Sequence, residues 1–154
     1  MSTIEKNFQV FIDSVTNYFS QLNDDDIVVD TPYLNENQTP ILSDYTGVIG
    51  ITGNNKGLVY FTAPTPLLKQ MLLSMREADD SEANMVDLVG EVANTISGNA
   101  RTQFGAEFNI SVPFVFKGRP EHVILPKDKH AFVIPLVWKN CTAAIVIYLQ
   151  NPNV

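Results

Sequence analysis

Ser81 to Arg101 reads S-E-A-N-M-V-D-L-V-G-E-V-A-N-T-I-S-G-N-A-R, and the rest of the chain is organised around this stretch. At about 100° per residue, Met85, Leu88, Val89, Val92, Ala93 and Ile96 fall on one face of a helix. Asp87, Glu91, Asn94 and Gly98 line up on the other. The pattern is an amphipathic helix with a polar stripe. A solvated helix face usually carries Lys and Glu four residues apart, yet there is no Lys or Arg from Asp87 to Ala100. The stripe is not composed like an ordinary wet surface.

Glu91 and Asn94 are three residues apart, so a carboxylate and a carboxamide project side by side from one strip. Gly90, Ser97 and Gly98 leave the helix backbone open to approach by another surface, and each Gly costs about 1 kcal/mol of helix propensity relative to Ala. The bare pair is weak evidence, because seven Glu and fourteen Asn produce about 0.6 E-x-x-N pairs by chance. The register D-x-x-x-E-x-x-N-x-x-x-G opposite a clean apolar face strengthens it, and no other Glu has Asn three residues on.

A length of 154 residues predicts one domain, 1–154, with a sizeable core and no need of disulfides. Cys141, the only cysteine, lies in an apolar run and reads as a buried, inert thiol in a reducing compartment. There is no CxxC or HExxH pattern, and His122 and His130 are not spaced as ligands on one helix, so no bound metal is expected. The N-terminus lacks a signal pattern and no apolar run approaches the roughly 18 residues of a membrane helix, which predicts a cytoplasmic protein. Net charge −7 and a pI near 4.6 argue against a nucleic-acid surface and favour a protein partner.

Ile4 to Leu22 sets Ile4, Phe8, Phe11, Ile12, Val15 and Phe19 at helical spacing, an aromatic core stripe. Asn23 to Asp26 then breaks the helix as a solvated end. Ile27 to Tyr33 is expected as a short strand and Asn35 to Pro40 as a polar loop. Asp44 to Thr52 and Gly57 to Ala63 flank Gly53-Asn54-Asn55-Lys56 as a hairpin. Pro66 suits the first turn of a helix carrying Leu67, Leu68, Met71, Leu72 and Met75. Ser81 or Asp80 caps the central helix, which is extended to about Phe104 and stopped at Gly105. Strands are expected at Ile110 to Phe116 and His122 to Leu125, then a hairpin of Phe132 to Trp138 with Thr142 to Leu149, where Pro135 requires an edge or a bulge.

The order helix, strand, hairpin occurs twice, which suggests two related halves. The predicted fold is α+β, an antiparallel or mixed sheet with helices packed on one face. The first helix offers Asp13, Thr16, Asn17 and Ser20 on its polar side but no E-x-x-N pair. One half keeps the site and the other is structural.

Asp87, Glu91 and Asn94, followed by Gly98 and by Pro113 at the next strand, resemble the signature of the CheC/CheX/FliY family of chemotaxis phosphatases. One such motif rather than two resembles the CheX branch. A Glu and an Asn alone lack the parts of a hydrolase, having no suitable base, no Ser–His or Cys–His pair and no metal cluster. They can complete a site on another protein, since phosphoryl transfer depends mostly on positioning and charge stabilisation. The resemblance implies that the partner is a phosphorylated CheY-like response regulator, which supplies Mg²⁺ and a Lys, with no cofactor bound by this chain. It implies that Asn94 aligns the attacking water, that Glu91 pairs with the regulator's Lys, and that Asp87 and Gly98 help to bind the partner.

Two other classes compete with this reading. One is a non-catalytic regulator-binding or flagellar-switch-like module, and the other a small-molecule sensor, which needs a concave pocket with convergent polar groups. The CheX resemblance also implies a homodimer, and the charge-free segment Ala143 to Leu149 predicts an apolar outer strand for two copies to pair.

Overall fold

Three helices and eight strands form among the residues described by this computed structural model, which are 3–36, 39–120 and 131–150. The expected strand from His122 to Leu125, the side chain of Ile4, and Asn37 and Gln38 of the expected loop lie outside the described residues. In chain order the elements are α1 (Thr3–Ser20), β1 (Val28–Val29), β2 (Tyr33–Asn35), β3 (Tyr45–Gly53), β4 (Lys56–Ala63) and α2 (Thr65–Ser74). The second half adds α3 (Glu82–Phe104), β5 (Phe108–Ile110), β6 (Phe114–Lys117), β7 (Ala131–Trp138) and β8 (Cys141–Gln150).

The helix signals act as their chemistry requires. Ser81 caps α3 by accepting from the Asn84 N–H at 3.4 Å, and Gly105 ends it at φ 96°, a conformation that a side chain would disfavour. Pro66 stands in the first turn of α2, where a missing N–H does no harm.

All strand pairs are antiparallel, and the sheet runs β1-β7-β8-β4-β3-β5, with β2 also on β7 and β6 also on β3. Exchanging the two halves leaves this order unchanged. Each half contributes a helix, a broken strand and a hairpin, and its broken strand pairs with the hairpin of the other half. The expected repeat is therefore present as a pseudo-twofold sheet.

Alternation explains the two faces of that sheet. On β8, Ala143, Ile145 and Ile147 join the main core with the three helices, whereas Ala144, Val146 and Tyr148 join a smaller cluster with Tyr60 and Val133. Ile41 and Leu42 pack on this second cluster, and the Tyr60 hydroxyl donates to the Ile41 carbonyl at 2.8 Å. The helices thus cover one face, as expected.

Several local expectations are corrected. β8 is not an outer strand, because it lies between β7 and β4. β1 and β2 in turn cover β7, so the exposed apolar edge that was to join two copies does not exist. Its charge-free run reflects burial on both faces. The strand expected at Ile27 to Tyr33 is split around Asp30 to Pro32, opposite Pro135, whose carbonyl accepts from the Asp30 N–H at 2.9 Å. Pro135 thus sits at an interruption of the ladder, where it has no N–H to leave unpaired. The strand expected at Ile110 to Phe116 is likewise split, by a bulge at Ser111 to Pro113. Cys141 is half-buried at the start of β8 rather than buried.

α3 lies unusually close to β3. A Cβ at Gly47 would stand 2.5 Å from the Val89 carbonyl oxygen, so backbone meets backbone there. One at Gly90 would stand 3.2 Å from Val115 Cγ2 and 3.5 Å from Pro113 Cβ, which places the bulge against the helix.

The Asp24 carboxylate is not merely solvated. It accepts from Gln70 Nε2 at 2.7 Å and Ser74 Oγ at 2.6 Å, tying the end of α1 to α2. These hydrogen bonds to the charged form hold its carboxyl below the usual carboxylate range. The stabilisation is complete above the unfolded pKa, about 4, and is lost as pH falls through the folded value. Asp24→Asn should lower stability by about 1 kcal/mol near neutral pH. In denaturant titrations at successive pH values, the gap between variant and wild type should close in strong acid; a constant gap would assign the loss to packing.

Candidate functional site

The two ends of α3 are pinned and its middle is bare. At the N-terminal end, Glu82 Oε1 accepts from the Tyr45 hydroxyl at 2.7 Å and pairs with Lys117 Nζ at 2.8 Å, joining the helix to β3 and β6. The bonds from Lys117 and Tyr45 hold the Glu82 carboxyl below its ordinary value, and Glu82 in turn raises Lys117. At the C-terminal end, Arg101 Nε donates to the Phe108 carbonyl at 3.0 Å. Met85, Leu88, Val89, Val92, Ala93, Ile96 and Ala100 are buried, so the helix cannot roll about its axis without exposing core.

Asp87, Glu91 and Asn94 are all exposed, on one outward strip. Among the described residues, none of the three side chains makes a hydrogen bond or a salt bridge. The flanking cations are engaged elsewhere, Lys117 with Glu82 and Arg101 with the Phe108 carbonyl. The stripe therefore presents two uncompensated carboxylates and one free carboxamide on a rigid support. That set can meet a cation and orient a polar molecule, but it has no nucleophile of its own.

The three small residues expected to keep the backbone open divide. Gly90 is buried and filled by Pro113 and Val115, and Ser97 is buried with its hydroxyl unpaired among the described residues. Among the described residues a Cβ at Gly98 would touch nothing within 4 Å, so there the helix surface is open to a close-approaching body.

Tyr18 was not singled out from the sequence. It is half-buried on α1, and its phenol is pushed up to about 12, first by burial and then by the Glu91 carboxylate. No local signal could have found it, because this electrostatic effect depends on how α1 packs against α3. Between these helices an open groove of about 400 Å³ is lined by Asp13, Ser14 and Asn17 opposite Asn99, Thr102 and Gln103. Among the described residues there is no cluster of three or more acidic, His or Cys groups able to hold a metal ion, and no helix long and apolar enough to cross a membrane.

Comparison with known proteins bears on this arrangement. No curated protein sequence matches the chain. Among solved structures, a chemotactic CheC-like protein from Shewanella oneidensis is similar at 25% identity with TM-score 0.80, over 94% of this chain and 98% of that one. A CheX from Borrelia burgdorferi, solved as a CheX–CheY–BeF3–Mg²⁺ complex, shares the fold at 18% identity with TM-score 0.76, over 93% and 97% of the two chains. The FliM middle domain of H. pylori shares it more distantly, at 9% identity and TM-score 0.64, over 96% and 92%. The sequence profile described as chemotaxis phosphatase CheX matches residues 45–137, more than half of the chain and the whole of the exposed stripe. By that match this chain belongs to the CheX family of chemotaxis phosphatases.

Proposed function

We propose that this protein dephosphorylates the aspartyl phosphate of a CheY-like response regulator by inserting Glu91 and Asn94 into the regulator's active site. The observation that carries the proposal is the bare carboxylate–carboxamide pair on a helix fixed at both ends, within a chain of the CheX phosphatase family. The Asn94 carboxamide orients a water in line with the phosphorus. The water oxygen bonds to phosphorus as the bond to the aspartate oxygen breaks, which releases the aspartate carboxylate, inorganic phosphate and a proton to solvent. Glu91 pairs with a lysine of the regulator and sets the register, and Asp87 adds attraction at the rim.

The regulator brings the Mg²⁺ that neutralises charge on the phosphoryl oxygens. The Borrelia burgdorferi complex supports this, since that CheX was solved with CheY, BeF3 and Mg²⁺. A non-catalytic docking module would use the same stripe without speeding phosphate loss. Decay of a phosphorylated regulator with and without this protein separates the two.

Asn94→Ala should slow that decay by at least about 100-fold relative to wild type while leaving fold stability within about 0.5 kcal/mol. Ile96→Asp, on the buried face of the same helix, should instead unfold the protein by burying an unpaired charge. Near-normal turnover in Asn94→Ala would overturn the mechanism. Gly98→Ala should stabilise the isolated chain by up to about 1 kcal/mol, since its methyl group enters open space. In the same decay assay it should raise the concentration of regulator needed for half-saturation, because the methyl group occupies the contact surface. An unchanged half-saturation would remove Gly98 from the interface.

A further inference from the structure

The stripe on α3 does not stop at Gly98. Arg101, Thr102 and Gly105 follow it at three, four and seven residues, so they continue the same face. With Ala106 and Ile110 they line a shallow hollow of about 350 Å³ that shares Gly98 with the stripe. The Thr102 hydroxyl is turned back to the Gly98 carbonyl at 3.2 Å. Among the residues that line the hollow, Arg101 alone is charged.

Arg101 is held rather than loose. Its Nε–H donates to the Phe108 carbonyl at 3.0 Å, which leaves the two terminal amino groups of the guanidinium without a partner among the described residues. The carbonyl is neutral, so it orients the side chain without cancelling its charge. No carboxylate cancels it either, because Arg101 makes no salt bridge among the described residues. Attraction to the helix C-terminus explains a cation in the last turn. It requires neither the bond to Phe108 nor a hollow in line with the stripe.

Charge and distance identify the partner group. Between Glu82 and Phe104 the only Lys or Arg is Arg101, so α3 presents acids at Asp87 and Glu91 and a base at its far end. A body lying along the helix must meet the first with a cation and the second with an anion. Arg101 is seven residues from Asn94, about 10 Å along the axis. A phosphoryl group held at Asn94 is too far away to be shared, so the anion at Arg101 is a carboxylate.

We propose that Arg101 receives a surface carboxylate of the docked regulator in this hollow, and that the two ends of the stripe together fix the direction in which the regulator lies along α3. The inference rests on the function proposed above. The two free amino groups of the guanidinium suit the two oxygens of a carboxylate. Ala106 and Ile110 beside them reduce competition from water. A regulator lying the other way would set its lysine against Arg101, which disfavours that orientation.

The test measures binding apart from turnover. The probe is a CheY-type regulator that the wild-type chain dephosphorylates, activated with beryllofluoride and Mg²⁺, and its Kd is read by calorimetry with the full chain. Arg101→Gln should raise Kd about 10-fold, and raising the salt concentration should weaken wild-type binding more than binding by this variant. Because Arg101→Gln also alters the bond to Phe108, a second pair of variants leaves Arg101 in place. Ala106→Glu puts a competing carboxylate into the hollow, and Ala106→Gln adds the same bulk without the charge. Kd for the first should exceed that for the second by about 10-fold. Equal Kd values for the pair would overturn the proposal, as would wild-type affinity in Arg101→Gln.

A charge exchange supplies the positive result. Binding lost in Arg101→Glu should return with a single carboxylate-to-lysine substitution on the regulator, and a scan of its surface carboxylates that finds none would also overturn the proposal. Asn94→Ala is the control for the underlying function: if it retains turnover, the phosphatase mechanism fails whatever Arg101 does. If it loses turnover while Arg101→Gln binds like wild type, only the Arg101 proposal fails.

Discussion

The contact on which the site depends is the one between Gly47 on β3 and the backbone of Val89 and Gly90 on α3, where no side chain fits. It lets the helix settle directly onto the sheet. One residue further on stands Glu91, so the height and rotation of the stripe are set by backbone packing rather than by flexible side chains. Gly90 extends the same contact sideways to Pro113 and Val115. Met85, Leu88, Val89, Val92 and Ile96, buried on α3, contribute about 1.5–3 kcal/mol each, which is enough to offset the poor helix propensity of its two glycines.

Holding and acting are divided along this helix. Charged side chains at its ends are satisfied, Glu82 by Tyr45 and Lys117 and Arg101 by the Phe108 carbonyl. Between them Asp87 and Glu91 stand four residues apart with like charge, a spacing that destabilises a helix by about 0.2–0.5 kcal/mol. The helix tolerates that loss because its ends and its inner face are secure. A local rule broken without compensation nearby is what a working surface looks like.

The sheet protects its own margins by a different device. Both outer positions are taken by short strands broken at a proline, β1 and β2 around Pro32, β5 and β6 around Pro113. Short interrupted edges are poor templates for pairing with another chain. The two breaks occupy equivalent places in the related halves, but only the second lies beside an E-x-x-N helix. There the bulge also packs against Gly90, so an edge device has become part of the support for the stripe.

Period, caps and turns were readable from the residues because each is a local property of the chain. The 3.6-residue repeat of α3, its Ser81 cap and Gly105 stop, the two hairpins, and the Asp87, Glu91, Asn94 and Gly98 strip all lie within a few residues of the atoms that determine them. Neighbour relations were not readable in this way. That β8 is central rather than outer depends on β4 pairing with it from the other half, a pairing made by backbone groups that every sequence shares. Likewise a glycine looks the same whether it opens onto solvent or meets a strand, so the inward role of Gly90 and the outward one of Gly98 appear only when β6 is in place. The Glu91 charge that helps to raise the Tyr18 phenol acts between two helices far apart in sequence. The chain alone therefore determined which residues form the stripe, and the tertiary packing decided what stands beside them, because burial and electrostatic contact are properties of space rather than of sequence order.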